Sequence, residues 1–197
     1  EAVSTLIHLS RSGASIEMFA PDKLQHHTVN HTTGEEEAVN RNILVESARI
    51  GRGKVSPLSD CNVSEFDAIV IPGGFGAAKN LSDFAFQGKD MQVDVDVESL
   101  LKKFIEEKKV IGSSCIAPTI VARLIPGAKV TVGSDKKSEM YPYADTAEAI
   151  KNMGGDHVCT KPHECYTDEV NNIVTCSAFM YNGRFDEIDD SIKSMVT

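Results

Sequence analysis

The sequence predicts an α/β fold with a mostly parallel sheet, on three observations. Segments of strand and helix character alternate along the whole chain, the order that builds parallel sheets through helical crossovers. The stretch 67–72 carries the continuous β-branched run Ile69-Val70-Ile71, which suits a strand covered on both faces. Two loops rich in small residues, 73–80 and 113–118, each follow a predicted strand, where α/β sheets place their ligands.

Each element has its own signal. Val3, Leu6, Ile7 and Leu9 form an apolar stripe that predicts a helix over 1–11, stopped at Ser12-Gly13. Residues 15–20 alternate like a strand and end at Pro21-Asp22. A chain that opens on a helix followed by a strand implies a further first strand ahead of Glu1. The stretch 23–40 is polar and His-rich, with Gly34 and an acidic run at 35–37, and reads as a long loop. A short helix is expected over 42–52 and a strand over 67–72. The strongest helix spans 93–109, with Val97, Leu100, Leu101, Phe104 and Ile105 inward and Lys102, Lys103, Glu106 and Glu107 outward. A strand over 110–114 leads to Cys115, and a helix over 116–124 accepts Pro118 in its first turn. Strands follow at 129–132, 157–160 and 172–176, with helices at 144–153 and 184–195. No linker, repeat or low-complexity segment breaks the chain, so 1–197 reads as one domain.

Composition narrows the function classes. The chain has 197 residues and a formal net charge of −9, which argues against a general binder of nucleic acid or anionic membrane. Apolar residues are 41% and charged residues 25%, a globular balance that argues against disorder. No stretch approaches the ~20 apolar residues of a membrane span. The five cysteines include no CxxC pair, so neither a disulfide framework nor a structural zinc site is expected, and reduced thiols in a cytosol-like compartment are. His26, His27 and His31 have no carboxylate or Cys at ligand spacing, so a solvated loop is expected rather than a metal site.

Cys115 stands apart. It lies between a predicted strand and a predicted helix, the setting of a nucleophile elbow. The N–H groups and dipole of that helix favour negative charge, so a lowered thiol pKa is expected. Its small neighbours Gly112, Ser113, Ser114 and Ala117 leave room for a ligand. A buried structural cysteine is the other reading of position alone. The turn Gly73-Gly74-Phe75-Gly76 is suited to presenting N–H groups to an oxyanion. The other four cysteines read as structural thiols, and His163-Glu164-Cys165 reads as a turn.

Pro72-Gly73-Gly74-Phe75-Gly76-Ala77-Ala78-Lys79-Asn80-Leu81-Ser82, followed by Cys115-Ile116-Ala117-Pro118, resembles the ThiJ/PfpI group of class I glutamine-amidotransferase-like proteins. Within that group the chain is similar to the ElbB (enhancing lycopene biosynthesis) family, whose animal relatives are mitochondrial. The likeness runs nearly end to end and includes Ser10-Arg11-Ser12-Gly13-Ala14, Phe19-Ala20-Pro21-Asp22-Lys23 and Thr146-Ala147-Glu148. It implies a flavodoxin-like three-layer sandwich with a homodimeric state. Cys115 matches the family's reactive elbow cysteine, and Glu1 matches the acid that approaches its sulfur. The N–H groups of Gly74, Phe75 and Ile116 fall on the oxyanion-binding positions.

The departures from the superfamily also matter. Ile116 stands where PfpI-type peptidases place His, so peptidase activity is not expected. His163-Glu164 lacks the His-x-Glu spacing of glutamine amidotransferases. Where glyoxalases of the superfamily often supply a His, this chain reads Val132-Gly133-Ser134-Asp135. Cys115 and Glu1 must then act nearly alone, or His31 must join them from the long loop.

The resemblance thus implies a cofactor-free, glyoxalase-like enzyme for small α-oxoaldehydes such as methylglyoxal. The alternative is a non-enzymatic redox sensor or regulator with an oxidisable Cys115, with a link to isoprenoid biosynthesis resting on the family name alone. The expected location is cytoplasmic, with the mitochondrial matrix as the alternative.

Overall fold

A computed structural model describes residues 1–197. The chain opens with helix α1 (Ala2–Arg11), strand β1 (Phe19–Ala20), strands β2 (Thr28–Asn30) and β3 (Glu35–Glu37), helix α2 (Ile43–Ile50) and strand β4 (Ser56–Pro57). Strand β5 (Ala68–Ile71) leads through a π-helical turn, Ala77–Leu81, to the short helix α3 (Phe84–Gln87) and to α4 (Val95–Glu106). Then come β6 (Val110–Ser114), α5 (Pro118–Leu124), β7 (Lys129–Val130), α6 (Asp145–Asn152) and β8 (Asp156–His157). The chain closes with β9 (Cys165–Asp168), β10 (Ile173–Cys176) and α7 (Phe185–Val196). None of these helices is long and apolar enough to cross a membrane.

The main sheet has the order β5-β6-β10-β9, with the first three strands parallel and β9 antiparallel. This is the α/β, flavodoxin-like architecture that the alternation of elements predicts. Ile71 pairs with Ser113, and Ser114 with Cys176, so β5, β6 and β10 end nearly level. The loops that follow these strands therefore leave the sheet side by side. Helix α7 packs on β6, β10 and α1, while α5 packs on β6 and α6. The core joins Ile71, Ile111 and Ile173 of the sheet to Val97, Leu101, Ile120, Ile150 and Ile192 of the helices.

Local chemistry explains the main helices. The Asp94 carboxylate caps α4 by accepting from the Val97 N–H, and Val97, Leu100, Leu101 and Phe104 form its buried stripe. Helix α1 is tied to α7 by polar contacts. The buried His8 Nε2 lies 3.0 Å from Asp189 Oδ1, and the Ser4 hydroxyl donates to the same oxygen.

Two local readings need correction. The stretch 23–40 is not a featureless loop, because β2 and β3 form an antiparallel hairpin closed by Gly34 at φ 78°. Three consecutive glutamates are poor strand formers, so the strand leaves no pattern in the sequence. The turn expected before a strand at His163-Glu164-Cys165 is present: the Glu164 N–H closes it on the Lys161 carbonyl, and β9 follows from Cys165, held by β10. The strands after β6 are shorter than expected: Thr131 leaves the ladder after β7 and donates its N–H to the Thr175 hydroxyl instead.

The sheet is interrupted where the sequence implies a further strand. Strand β1 pairs only with β4, and β5 only with β6. Between their free edges lies an apolar cleft of about 620 Å³, lined by β1 and β5 and by Leu6 of α1 and Leu101 of α4.

Candidate active site

The site forms where β5, β6 and β10 end. Strand β6 delivers Cys115 into the left-handed region, at φ 59°. A non-glycine residue there is strained, as at a nucleophile elbow. The turn is held by the Cys115 N–H, which donates to the Cys176 carbonyl at 3.1 Å. Beyond β10, Ala178 is also left-handed, at φ 40°, which aims the Phe179 N–H at Glu1 Oε1, 3.4 Å away.

Glu1 occupies the N-cap of α1, and its carboxyl lies beside the Cys115 side chain, across Gly73. The backbone N–H groups of Gly74 and Ile116 also face that sulfur and pull its pKa down. Gly73 makes the approach possible. A Cβ there would stand 2.5 Å from Cys115 Cβ, 2.6 Å from the Ser114 carbonyl oxygen and 3.0 Å from Glu1 Oε2. Any side chain at 73 would force the backbone apart. Gly74, at φ 90°, then turns its N–H toward the sulfur.

The electrostatics correct the expected low thiol pKa. Cys115 is 7% exposed, and burial pushes its thiol well above the ordinary range. The nearby Glu1 carboxylate pushes in the same direction, against the opposing pull of the Gly74 and Ile116 N–H groups. The resting site thus favours the Cys115 thiol, and the sulfur becomes a nucleophile by passing its proton to the neighbouring Glu1 carboxylate while the two amides favour the charge left on it.

The other residues singled out in the sequence separate into those that reach the sulfur and those that do not. Gly74 and Ile116 reach it, whereas the Phe75 N–H makes no hydrogen bond to it. The Phe75 ring is instead exposed, with Lys79 Nζ 5.5 Å from its centre. His31 lies at the exposed tip of the β2–β3 hairpin and does not join Glu1 and Cys115. Its neighbours His26 and His27 dock on the turn Ala77–Leu81 and on Phe86 instead. The His26 N–H donates to Asn80 Oδ1 at 2.7 Å, and its ring stacks on Phe86. No group of three or more His, Cys, Asp or Glu residues is arranged to hold a metal ion.

No histidine completes a triad. At Gly133, φ 95°, a Cβ would stand 2.7 Å from the Tyr141 ring, so the fold leaves no space for a side chain there. His157 is committed elsewhere, with Nε2 accepting from the Val132 N–H at 3.2 Å. Burial, reinforced by Lys151, lowers its pKa to about 4 and keeps it neutral near pH 7.

The remaining cysteines also need revision. Cys159 has an acid neighbour after all: its thiol lies beside Asp135 and is the largest cause of that carboxyl lying below the usual range. The sequence gives no signal for this contact, nor for the Phe179 N–H on Glu1, because both come from loops whose paths depend on tertiary packing.

A family model described as the DJ-1/PfpI family matches residues 1–181. The chain belongs to the DJ-1/PfpI family. Among its relatives is the ES1 protein homolog, mitochondrial, of Rattus norvegicus, 48% identical over all of this chain and 74% of that protein. The human glutamine amidotransferase-like class 1 domain-containing protein 3, mitochondrial, is 46% identical over the same shares. An isoprenoid biosynthesis protein with an amidotransferase-like domain from Ehrlichia chaffeensis has a similar structure. Its TM-score is 0.89 at 37% identity, covering all of this chain and 87% of that one. Drosophila melanogaster DJ-1beta shares the fold alone, with a TM-score of 0.53 at 18% identity over 97% of this chain and 77% of that one. In this DJ-1/PfpI chain the acid and the elbow cysteine meet without a histidine.

Proposed function

We propose that the protein is a cysteine-dependent, glyoxalase-like enzyme that converts small α-oxoaldehydes to hydroxy acids without a cofactor. One observation carries this reading: the Glu1 carboxyl and the buried Cys115 side chain stand side by side across Gly73, next to the Gly74 and Ile116 N–H groups.

The chemistry follows from those groups. Cys115 gives its thiol proton to the Glu1 carboxylate as its sulfur attacks the aldehyde carbon of methylglyoxal, and Glu1 passes that proton to the former carbonyl oxygen to give a hemithioacetal. Glu1, again a carboxylate, removes the hydrogen on that carbon and delivers it to the neighbouring ketone oxygen, which gives an enediol. Glu1 then takes the proton of the former aldehyde hydroxyl and delivers it to the neighbouring carbon, which gives a lactoyl thioester of Cys115. Water then adds to the thioester carbonyl, the sulfur leaves as the thiol, and lactate and a proton are released with the starting thiol and Glu1 carboxylate restored. The net reaction consumes one methylglyoxal and one water. The amides steady the oxyanion that develops at each carbonyl addition, and the acid moves the protons.

The test is lactate formation from methylglyoxal by the purified protein. Cys115→Ser and Glu1→Ala are expected to abolish it. Wild-type protein with no turnover, or Cys115→Ser with an unchanged rate, would overturn the proposal.

A second reading is favoured by the absence of a histidine beside Cys115: the sulfur acts as an oxidisable sensor. Mild peroxide would then place sulfinic acid on Cys115 before the other four thiols, and the protein would lack turnover. An isoprenoid link rests on the name of one structural neighbour. The mitochondrial setting in the names of two relatives is proposed for this chain, and those names give the cytoplasmic expectation no support. A homodimer is proposed as well, to be measured by light scattering.

A further inference from the structure

Strands β9 and β10 place Cys165 directly opposite Cys176. The kind of pairing follows from where the backbone points. The Cys176 carbonyl accepts the Cys115 N–H on the β6 side, so the backbone polar groups of Cys176 face β6. None is left for β9. Cys165 and Cys176 are therefore a non-hydrogen-bonded antiparallel pair, in which Cα atoms approach to about 4.5 Å and side chains leave the same face. A disulfide needs Cα atoms about 4.4–6.8 Å apart. The register meets that requirement without moving the backbone.

The surroundings differ for the two sulfurs. Cys176 is fully buried, with its Sγ 3.9 Å from Met195 Sδ of α7. Cys165 is half-buried on the last strand of the sheet. An oxidant thus meets Cys165 first, and Cys176 waits behind it. Burial also pushes the Cys176 thiol up to about 12, so it is not the first of the two to react with an oxidant.

We propose that Cys165 and Cys176 are a redox-modification site, which peroxide closes to a cross-strand disulfide. Peroxide takes two electrons from the Cys165 thiol, leaving a sulfenic acid and releasing one water. The Cys176 sulfur then attacks the Cys165 sulfur and displaces its hydroxyl, which leaves as a second water with the Cys176 proton. One peroxide is consumed per disulfide, and a dithiol reductant reverses the step.

The pair lies close to the candidate active site. The Cys176 carbonyl holds the Cys115 N–H, and Phe179, three residues on, holds Glu1. Closing the disulfide therefore loads the strand that positions both, and Cys115 is expected to alkylate more slowly in the oxidised protein. This inference does not depend on the glyoxalase reading, because its first readout is a covalent link.

The experiment treats the full chain with one equivalent of peroxide, blocks free thiols, and cleaves at Glu164 and Glu169 with a glutamyl-specific protease. The expected result is a peptide beginning at Cys165 linked to the peptide holding Cys176, lost on reduction with dithiothreitol. Slower Cys115 alkylation should appear in the oxidised wild type, recover with dithiothreitol, and be absent in Cys165→Ser. That variant alters the half-buried partner, so the core around Cys176 keeps its packing. Alkylatable Cys165 after treatment, or a link from Cys176 to any other cysteine, would overturn the proposal.

Discussion

Glu1 and Cys115 meet across Gly73: the carboxyl at the head of α1 lies beside the cysteine at the end of β6, and only a residue without a side chain fits between. Burial first and Glu1 second hold the thiol up. Glu1→Gln removes the charge while retaining a donor. Alkylation of Cys115 by iodoacetamide should therefore shift to lower pH in Glu1→Gln than in wild type. Turnover should nonetheless fall by about 10²-fold or more, because an amide cannot shuttle protons. An unchanged alkylation profile would show that Glu1 does not control the sulfur.

Gly73→Ala places a methyl group against Cys115 Cβ and the Ser114 carbonyl oxygen. Overpacking of this kind costs about 1–3 kcal/mol. Because the displaced atoms are the elbow itself, turnover should be lost even at temperatures where the variant is folded. Urea unfolding and a methylglyoxal assay on the same preparation separate the two effects.

His8 and Asp189 set the position of α1 on α7, and Glu1 rides at the head of that helix. Losing a buried polar partner costs about 1–3 kcal/mol. His8→Ala should lower the stability to unfolding by that amount and slow Cys115-dependent turnover more than a distant destabilising variant of equal cost. Equal slowing by the distant variant would reduce His8 to a stabilising residue.

Asp168 organises the turn between β9 and β10. Burial pushes its carboxyl up, but the Asn171 side chain and the N–H groups of Lys129, Asn171 and Val170 outweigh that and leave it below the usual range. A carboxyl lowered on folding stabilises above its unfolded pKa and loses that contribution as pH falls through its folded one. Wild-type stability should therefore decline below about pH 4. Asp168→Asn should be less stable at pH 7 and show a shallower acid decline. Parallel declines for the two proteins would mean that Asp168 takes no part in the acid transition.

While the pairing of Cys115 with Glu1 came only from the family resemblance, the sequence by itself determined the fold class, the glycine loop and the elbow. These are local or motif-borne: a β-branched run, an amphipathic stripe and a Cys between strand and helix carry their meaning in neighbouring residues. The Gly74 and Ile116 N–H groups, like the Glu1 pairing, were assigned through the resemblance. Tertiary structure decided the rest. It set aside His31, because the Glu35–Glu37 strand folds the loop into a hairpin whose tip faces solvent. It brought the Phe179 N–H onto Glu1 through a left-handed Ala178. It raised the Cys115 thiol where a helix N-terminus alone argued for lowering it, because desolvation depends on everything packed around the sulfur. It also set Cys165 opposite Cys176, a register that only the pairing of β9 with β10 defines.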